Sequence, residues 1–213
     1  MKLVLASNNA KKLAELQTLF APLGLDLVTQ GSLGIGEADE PHVTFVENAL
    51  AKARHAAQQA SAAAIADDSG LCVDALGGAP GVRSARFATL SADVVVTGFD
   101  REHQRMQQDA ANNLLLLRRL DGETDRRARF VSALVAVRRA DDPEPLIAFG
   151  RWDGSILTAP RGDGGFGYDP LMFIPSLDHA VAELGADVKN RHSHRAIASQ
   201  QMLALMREVW HLG

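Results

Sequence analysis

The chain has 213 residues, of which 46% are hydrophobic and 23% charged, values that fit a globular protein and exclude disordered and fibrous classes. Its formal net charge is −4, so no global basic field exists to hold a nucleic-acid backbone, and a polyanion would need a local cluster of cations. The lone cysteine, Cys72, cannot form an intramolecular disulfide and sits among Leu71, Val73 and Ala75 as a small core residue, consistent with a reducing cytoplasm.

Residues 2–6 read as a buried first strand, and Asn8 and Asn9 stop this apolar start well short of a signal peptide or membrane span. Leu13, Leu16, Phe20 and Leu23 follow helical spacing, with Gly24 as the residue just past the helix end. Residues 25–28 return as a strand, so the chain opens as βαβ with residues 7–10 between the first strand and its helix. After an acidic stretch at 37–41, Thr44 and Glu47 form a capping-box pair for an alanine-rich helix reaching about residue 60. Residues 64–66 read as a short strand running into Asp67-Asp68-Ser69-Gly70, resumed by 71–73, and 77–81 as a tight glycine loop. Residues 89–109 show no clear period: a β-branched run at 94–97 precedes a polar run at 104–109. A helix follows through 114–120, closed by Gly122. Residues 130–137 are a strong strand and 145–149 its partner; 161–170 are a glycine-rich loop and 172–174 a short strand. The last helix starts at Ser193 and runs to about residue 209, with Ala198, Met202, Leu205 and Val209 inward. The middle strands look like hairpin partners, so the expected class is α/β, a mixed sheet with flanking helices in a single domain over 1–213.

Four places carry candidate chemistry. In Ser7-Asn8-Asn9-Ala10-Lys11-Lys12, two lysines stand at a helix N-terminus, where the dipole disfavours cations unless an anion is bound. Asp67-Asp68-Ser69, after a strand, and Asp39-Glu40, from a loop, offer carboxylates suited to Mg²⁺ or to taking a proton from water. Gly165-Phe166-Gly167-Tyr168-Asp169-Pro170 combines close backbone approach with aromatic faces for a base and an acceptor, Asp169, for a ring N–H. Lys189-Asn190-Arg191-His192-Ser193-His194-Arg195 again sets cations at a helix start, with Ser193 as N-cap. Each has a plain alternative: a capped helix with solvated lysines, an Asx-turn, a glycine turn with core aromatics, and a solvated basic turn. Together they describe a nucleotide polyphosphate with Mg²⁺.

These motifs resemble those of the inosine triphosphate pyrophosphatases, in order and over nearly the whole chain. The matching blocks include Leu5-Ala6-Ser7-Asn8-Asn9-Ala10-Lys11-Lys12, Thr44-Phe45-Val46-Glu47-Asn48-Ala49, Ala66-Asp67-Asp68-Ser69-Gly70-Leu71, Gly165-Phe166-Gly167-Tyr168-Asp169-Pro170 and Ser193-His194-Arg195. The resemblance implies an elongated mixed sheet, two lobes around a central substrate cleft, and a cytoplasmic homodimer. It implies hydrolysis of ITP, dITP and XTP to monophosphate and pyrophosphate with Mg²⁺, and no nucleic-acid or membrane partner. By motif, Ser7, Asn8, Asn9, Ala10, Lys11 and Lys12 grip the triphosphate. Asp68 accepts the proton and neighbours the metal, with Glu40 as the second acidic metal contact, adjacent to Asp39. Ser69 touches substrate, and Phe166, Gly167, Tyr168, Asp169, Lys189, His194 and Arg195 surround base and sugar. Lys52 adds a phosphate contact. Two departures stand out: the segment from Ser91 to Asp109 is longer than the family usually carries, and Asn8 replaces a small residue, often Gly. A pyrophosphatase for modified pyrimidine nucleotides and a nucleotide sensor without turnover are the alternative readings.

Overall fold

The computed structural model describes residues 2–8, 10–89 and 101–212. Its strands are β1 (Lys2–Leu5), β2 (Asp26–Thr29), β3 (Ala64–Val73), β4 (Arg127–Val137), β5 (Leu146–Ile156), β6 (Met172–Ile174) and β7 (His179–Ala180). They form one sheet in the order β2-β1-β3-β4-β5-β6-β7. β1 runs parallel to β2 and β3, whereas β6 is antiparallel to β5 and β7, so the sheet is mixed as the sequence implied. The helices are α1 (Ala10–Phe20), α2 (Phe45–Ala60), α3 (Arg101–Arg119), α4 (Ala186–His192) and α5 (His194–Trp210).

The chain divides into two compact units, the first comprising Met1–Ser69, Val131–Arg151 and Asn190–Gly213. Here strand alternation sorts the core onto two faces. Leu3, Leu5, Ile65, Leu134 and Ala136 pack with Leu16 and Phe20 of α1 and Ala198, Met202 and Met206 of α5. Val4, Ala6, Ala64, Ala66, Val135 and Val137 pack with Ala49, Ala53, Ala56 and Ala57 of α2. Alanines at this helical spacing let α2 lie close on the strands. Thr44 caps it, its Oγ1 accepting the Glu47 N–H at 3.3 Å. In the last turns of α5, Met206 is buried, while the expected Leu205 and Val209 are half-buried against the same core.

The second unit comprises Gly70–Phe130 and Trp152–Lys189. Its core joins Leu71, Val73, Leu116, Leu120, Phe130, Trp152, Tyr168, Leu171 and Met172. α3 begins at Arg101, well before the helix expected at 114, because the polar run at 104–109 is helical too. The β-branched run at 94–97 lies outside the described residues.

Candidate functional site

The interruption expected at Asp67-Asp68-Ser69-Gly70, between strand residues 64–66 and 71–73, does not occur: β3 runs through all four residues. Alternation therefore sends the two carboxylates to opposite faces. Asp67 follows Ile65 toward α1 and α5, and Asp68 follows Ala64 and Ala66 toward α2.

Asp67 is fully buried and collects four donors. Lys12 Nζ lies at 2.7 Å, Ser132 Oγ donates at 2.7 Å, Ser69 Oγ at 3.1 Å and Arg195 Nε at 3.3 Å. Arg195 Nη2 also donates to Ser69 Oγ at 3.1 Å. Burial would push the Asp67 carboxyl up, but Lys12 and Arg195 together outweigh it and hold the group well below the usual carboxylate range. These donors are why a charge can sit in mid-strand. Lys12 comes from the first turn of α1. Arg195 comes from the first turn of α5, where Ser193 Oγ accepts the Ala196 N–H at 3.1 Å.

Asp68 faces a different set. Lys52 Nζ, from α2, lies 2.9 Å from Asp68 Oδ1 and 2.9 Å from Glu40 Oε1, and donates to the Asp67 carbonyl at 3.0 Å. Asn48 Nδ2 reaches Asp68 Oδ2 at 3.4 Å. Burial pushes the Asp68 carboxyl above its ordinary value, with the Lys52 ammonium opposing only part of the rise. Lys52 is itself held up by Asp68 and Glu40 against the effect of burial. Neighbours in sequence thus shift in opposite directions, the Asp67 carboxyl downward through its cations and the Asp68 carboxyl upward through burial. Of the adjacent acids in the loop, Glu40 shares the Lys52 ammonium with Asp68, while Asp39 is exposed.

In the phosphate-grip motif, Ser7 and Asn8 are half-buried, and Asn8 Nδ2 donates to Glu37 Oε1 at 3.2 Å. Asn8 Oδ1 is buried with no partner among the described residues. Ala10 and Lys11 are helical; their side chains, and Asn9 altogether, lie outside the described residues.

In the second unit, Asp169 Oδ2 accepts the Phe166 N–H at 3.2 Å and pairs with Lys189 Nζ at 2.8 Å. The same ammonium stands 5.5 Å from the Phe166 ring centroid, a cation–π arrangement. Phe166 is half-buried, whereas Tyr168 is a core residue whose hydroxyl donates to the Ser84 carbonyl at 2.9 Å. Burial raises the Tyr168 hydroxyl's pKa, so it stays a donor. Of the two aromatics expected to face a base, the Tyr168 ring instead fills the core.

Sequence reasoning passed over a buried amide, Asn112. Its Nδ2 donates to the carbonyls of Ser84 and Ala85 at 3.2 and 3.4 Å, and its Oδ1 accepts from Ala88 N and Gln108 Nε2 at 2.8 and 3.0 Å. The signal lay in the amides just past the polar run, Asn112 and Asn113, set at helical spacing from Gln108 and Asp109.

The protein is thus of the α/β class, with an open mixed sheet that carries a buried cation–carboxylate cluster at Asp67 and a second carboxylate, raised by burial, at Asp68. The family model described as the Ham1 family matches residues 3–205, and the chain belongs to that family. It is 71% identical to a protein named dITP/XTP pyrophosphatase from Methylibium petroleiphilum over 99% of each chain, and 68% identical to one of the same name from Leptothrix cholodnii over the full length of both. It is also similar to the solved structure of a HAM1 protein from Coxiella burnetii, with a TM-score of 0.85 and 39% identity over 98% of this chain and 100% of that one.

Proposed function

We propose that this protein hydrolyses non-standard purine nucleoside triphosphates, ITP, dITP and XTP, to the monophosphate and pyrophosphate, clearing them from the nucleotide pool. The division of Asp67 and Asp68 between two faces of β3, the first against Lys12 and Arg195 and the second beside Lys52 and Glu40, carries the reading, supported by relatives named dITP/XTP pyrophosphatase. Asp67 fixes Lys12 and Arg195, the latter in place of the base and sugar contact expected of it, as a cationic seat for phosphate oxygens, to which Ser7, Asn8, Asn9, Ala10 and Lys11 add backbone and side-chain donors. Asp68 takes a proton from water as its oxygen bonds the α-phosphorus. The bond from that phosphorus to the bridging oxygen breaks, and the electron pair leaves with pyrophosphate. Positioning and charge neutralisation supply most of the rate in such transfers.

Glu40 and Asp68 fit Mg²⁺. Both are hard oxygen donors that converge on one Lys52 ammonium, and Mg²⁺ is commonly held by one or two carboxylates plus substrate phosphates. Among the described residues no larger cluster of acidic, histidine or cysteine side chains competes for it. When bound, the ion would neutralise charge on the phosphates.

Phe166 and Asp169, with the backbone of Gly167 and Tyr168, meet the purine, while Ser69 and His194 complete the substrate contacts. Lys189 donates to the oxygen at position 6 of hypoxanthine or xanthine; adenine places an amino group there, and a donor left unpaired costs about 1–3 kcal/mol. Guanine shares that oxygen and is excluded at position 2. On the family resemblance, the protein acts in the cytoplasm as a homodimer, without nucleic-acid or membrane partners. No helix among the described residues is long and apolar enough to cross a membrane.

The test is steady-state pyrophosphate release with Mg²⁺ and a panel of ITP, dITP, XTP, ATP, GTP and modified pyrimidine triphosphates. Turnover confined to the first three supports the reading. Equal turnover of ATP and ITP overturns the base selection, and tight binding without turnover makes the protein a sensor.

A further inference from the structure

The polar side chains of α3 have no part in the reading above, yet two of them hold one residue of the glycine loop. Gly167 N–H donates to Asp109 Oδ2 at 2.8 Å, and the Gly167 carbonyl accepts from Asn113 Nδ2 at 2.9 Å. Asp109 and Asn113 are four residues apart on one helix and so share a face. Gly167 has φ of +63°, a left-handed conformation that its lack of a side chain permits. Both polar groups of a single peptide-bearing residue are therefore fixed by one rigid element, one of them by a charge-assisted bond.

The next residue is fixed to the same helix by a relay. Tyr168 bonds the Ser84 carbonyl, which Asn112 also holds. On the other side, Phe166 N–H is held by Asp169, whose partner Lys189 stands over the Phe166 ring.

We propose that Asp109 and Asn113 are positioning residues for base recognition. By clamping Gly167 they set the Phe166 ring and the Asp169–Lys189 pair for a purine before it arrives. Preorganisation of this kind acts on binding of the base and leaves the phosphate grip alone. The proposal rests on the reading that residues 166–169 and Lys189 meet the base.

The experiment measures kcat and KM for dITP and dATP, and inhibition by inorganic tripolyphosphate, in Asp109→Ala, Asn113→Ala, Asp109→Asn and Phe166→Ala. Loss of either clamp should raise KM for dITP about tenfold with kcat within about twofold, the scale of one to two lost hydrogen bonds. The preference for dITP over dATP should fall, tripolyphosphate inhibition should not change, and Asp109→Asn, which keeps an acceptor oxygen, should recover most of the loss. If an alanine variant does not fold, Asn113→Asp replaces it, since it keeps the volume and sets an acceptor against the Gly167 carbonyl. Unchanged KM and preference in the clamp variants, with KM raised in Phe166→Ala, overturn the clamp alone. Weakened tripolyphosphate inhibition in step with KM also overturns it, because the effect is then global. Unchanged KM in Phe166→Ala removes the base-site reading, and the clamp with it.

Discussion

The same substitution at two adjacent residues should give opposite results. Asp67→Asn removes a charge from a carboxylate with no exposed surface, facing Lys12 at 2.7 Å and Arg195 at 3.3 Å. The new amide can still accept from Ser132, but its NH₂ group meets donors, and the guanidinium remains 5% exposed with its anion gone. Breaking a buried pair costs about 3–5 kcal/mol. Lys12 is 18% exposed and can turn partly to water, so the lower end applies, about 3 kcal/mol. Asp68→Asn removes a charge that burial already disfavours, and Lys52 keeps Glu40 and the Asp67 carbonyl. It should fold with unchanged or slightly greater stability and lose about 10²–10⁴-fold in kcat as the proton acceptor. The pH dependence separates them further. The folded Asp67 pKa is depressed, so its stabilisation is complete above the ordinary aspartate value and disappears as pH falls through the folded one. The gap between wild type and Asp67→Asn should close in acid. The folded Asp68 pKa is raised, so its cost appears as pH rises from the ordinary value through the folded one, and is absent in Asp68→Asn. Urea denaturation from pH 3 to 8, with kcat on the same samples, measures both. Loss of stability below about 1 kcal/mol in Asp67→Asn, or near-normal turnover in Asp68→Asn, would refute the division of roles.

Two further perturbations probe what surrounds these carboxylates. Lys52→Met removes the cation that most strongly opposes the rise at Asp68, so the acid limb of kcat/KM should move to higher pH; a limb that stays put in a titration of rate against pH would detach Lys52 from the proton acceptor. Gly150→Ala places a methyl against the His194 carbonyl and 2.7 Å from Ala198 N, so it should push the first turn of α5 off β5, cost about 2 kcal/mol in urea denaturation, and weaken tripolyphosphate inhibition through Arg195, whereas wild-type behaviour in both assays would remove Gly150 as a spacer.

The parts of the fold that were legible are those where apolar spacing, caps and turn residues agree. The opening βαβ, the Thr44-capped α2 and the Ser193-capped α5 all carry such signals, and the structure forms each near its expected bounds. The illegible parts are those where polar groups take core positions. Asp67-Asp68-Ser69-Gly70 reads as a break in a strand because two acids and a glycine disfavour β structure, and only the donors gathered from Lys12, Ser132 and Arg195 make the continuous strand stable. The front half of α3 was hidden for the same reason: Gln108, Asp109, Asn112 and Asn113 bond backbone, so no hydrophobic period marks the buried face. The residue types of the candidate site were visible, but the division of labour between its acids was not. That division comes from the period of two along β3, which no local reading of Asp67-Asp68 as a loop would apply. Once the strand is continuous, opposite faces follow necessarily, and with them one acid held ionised by cations from α1 and α5 and one raised by burial beside α2.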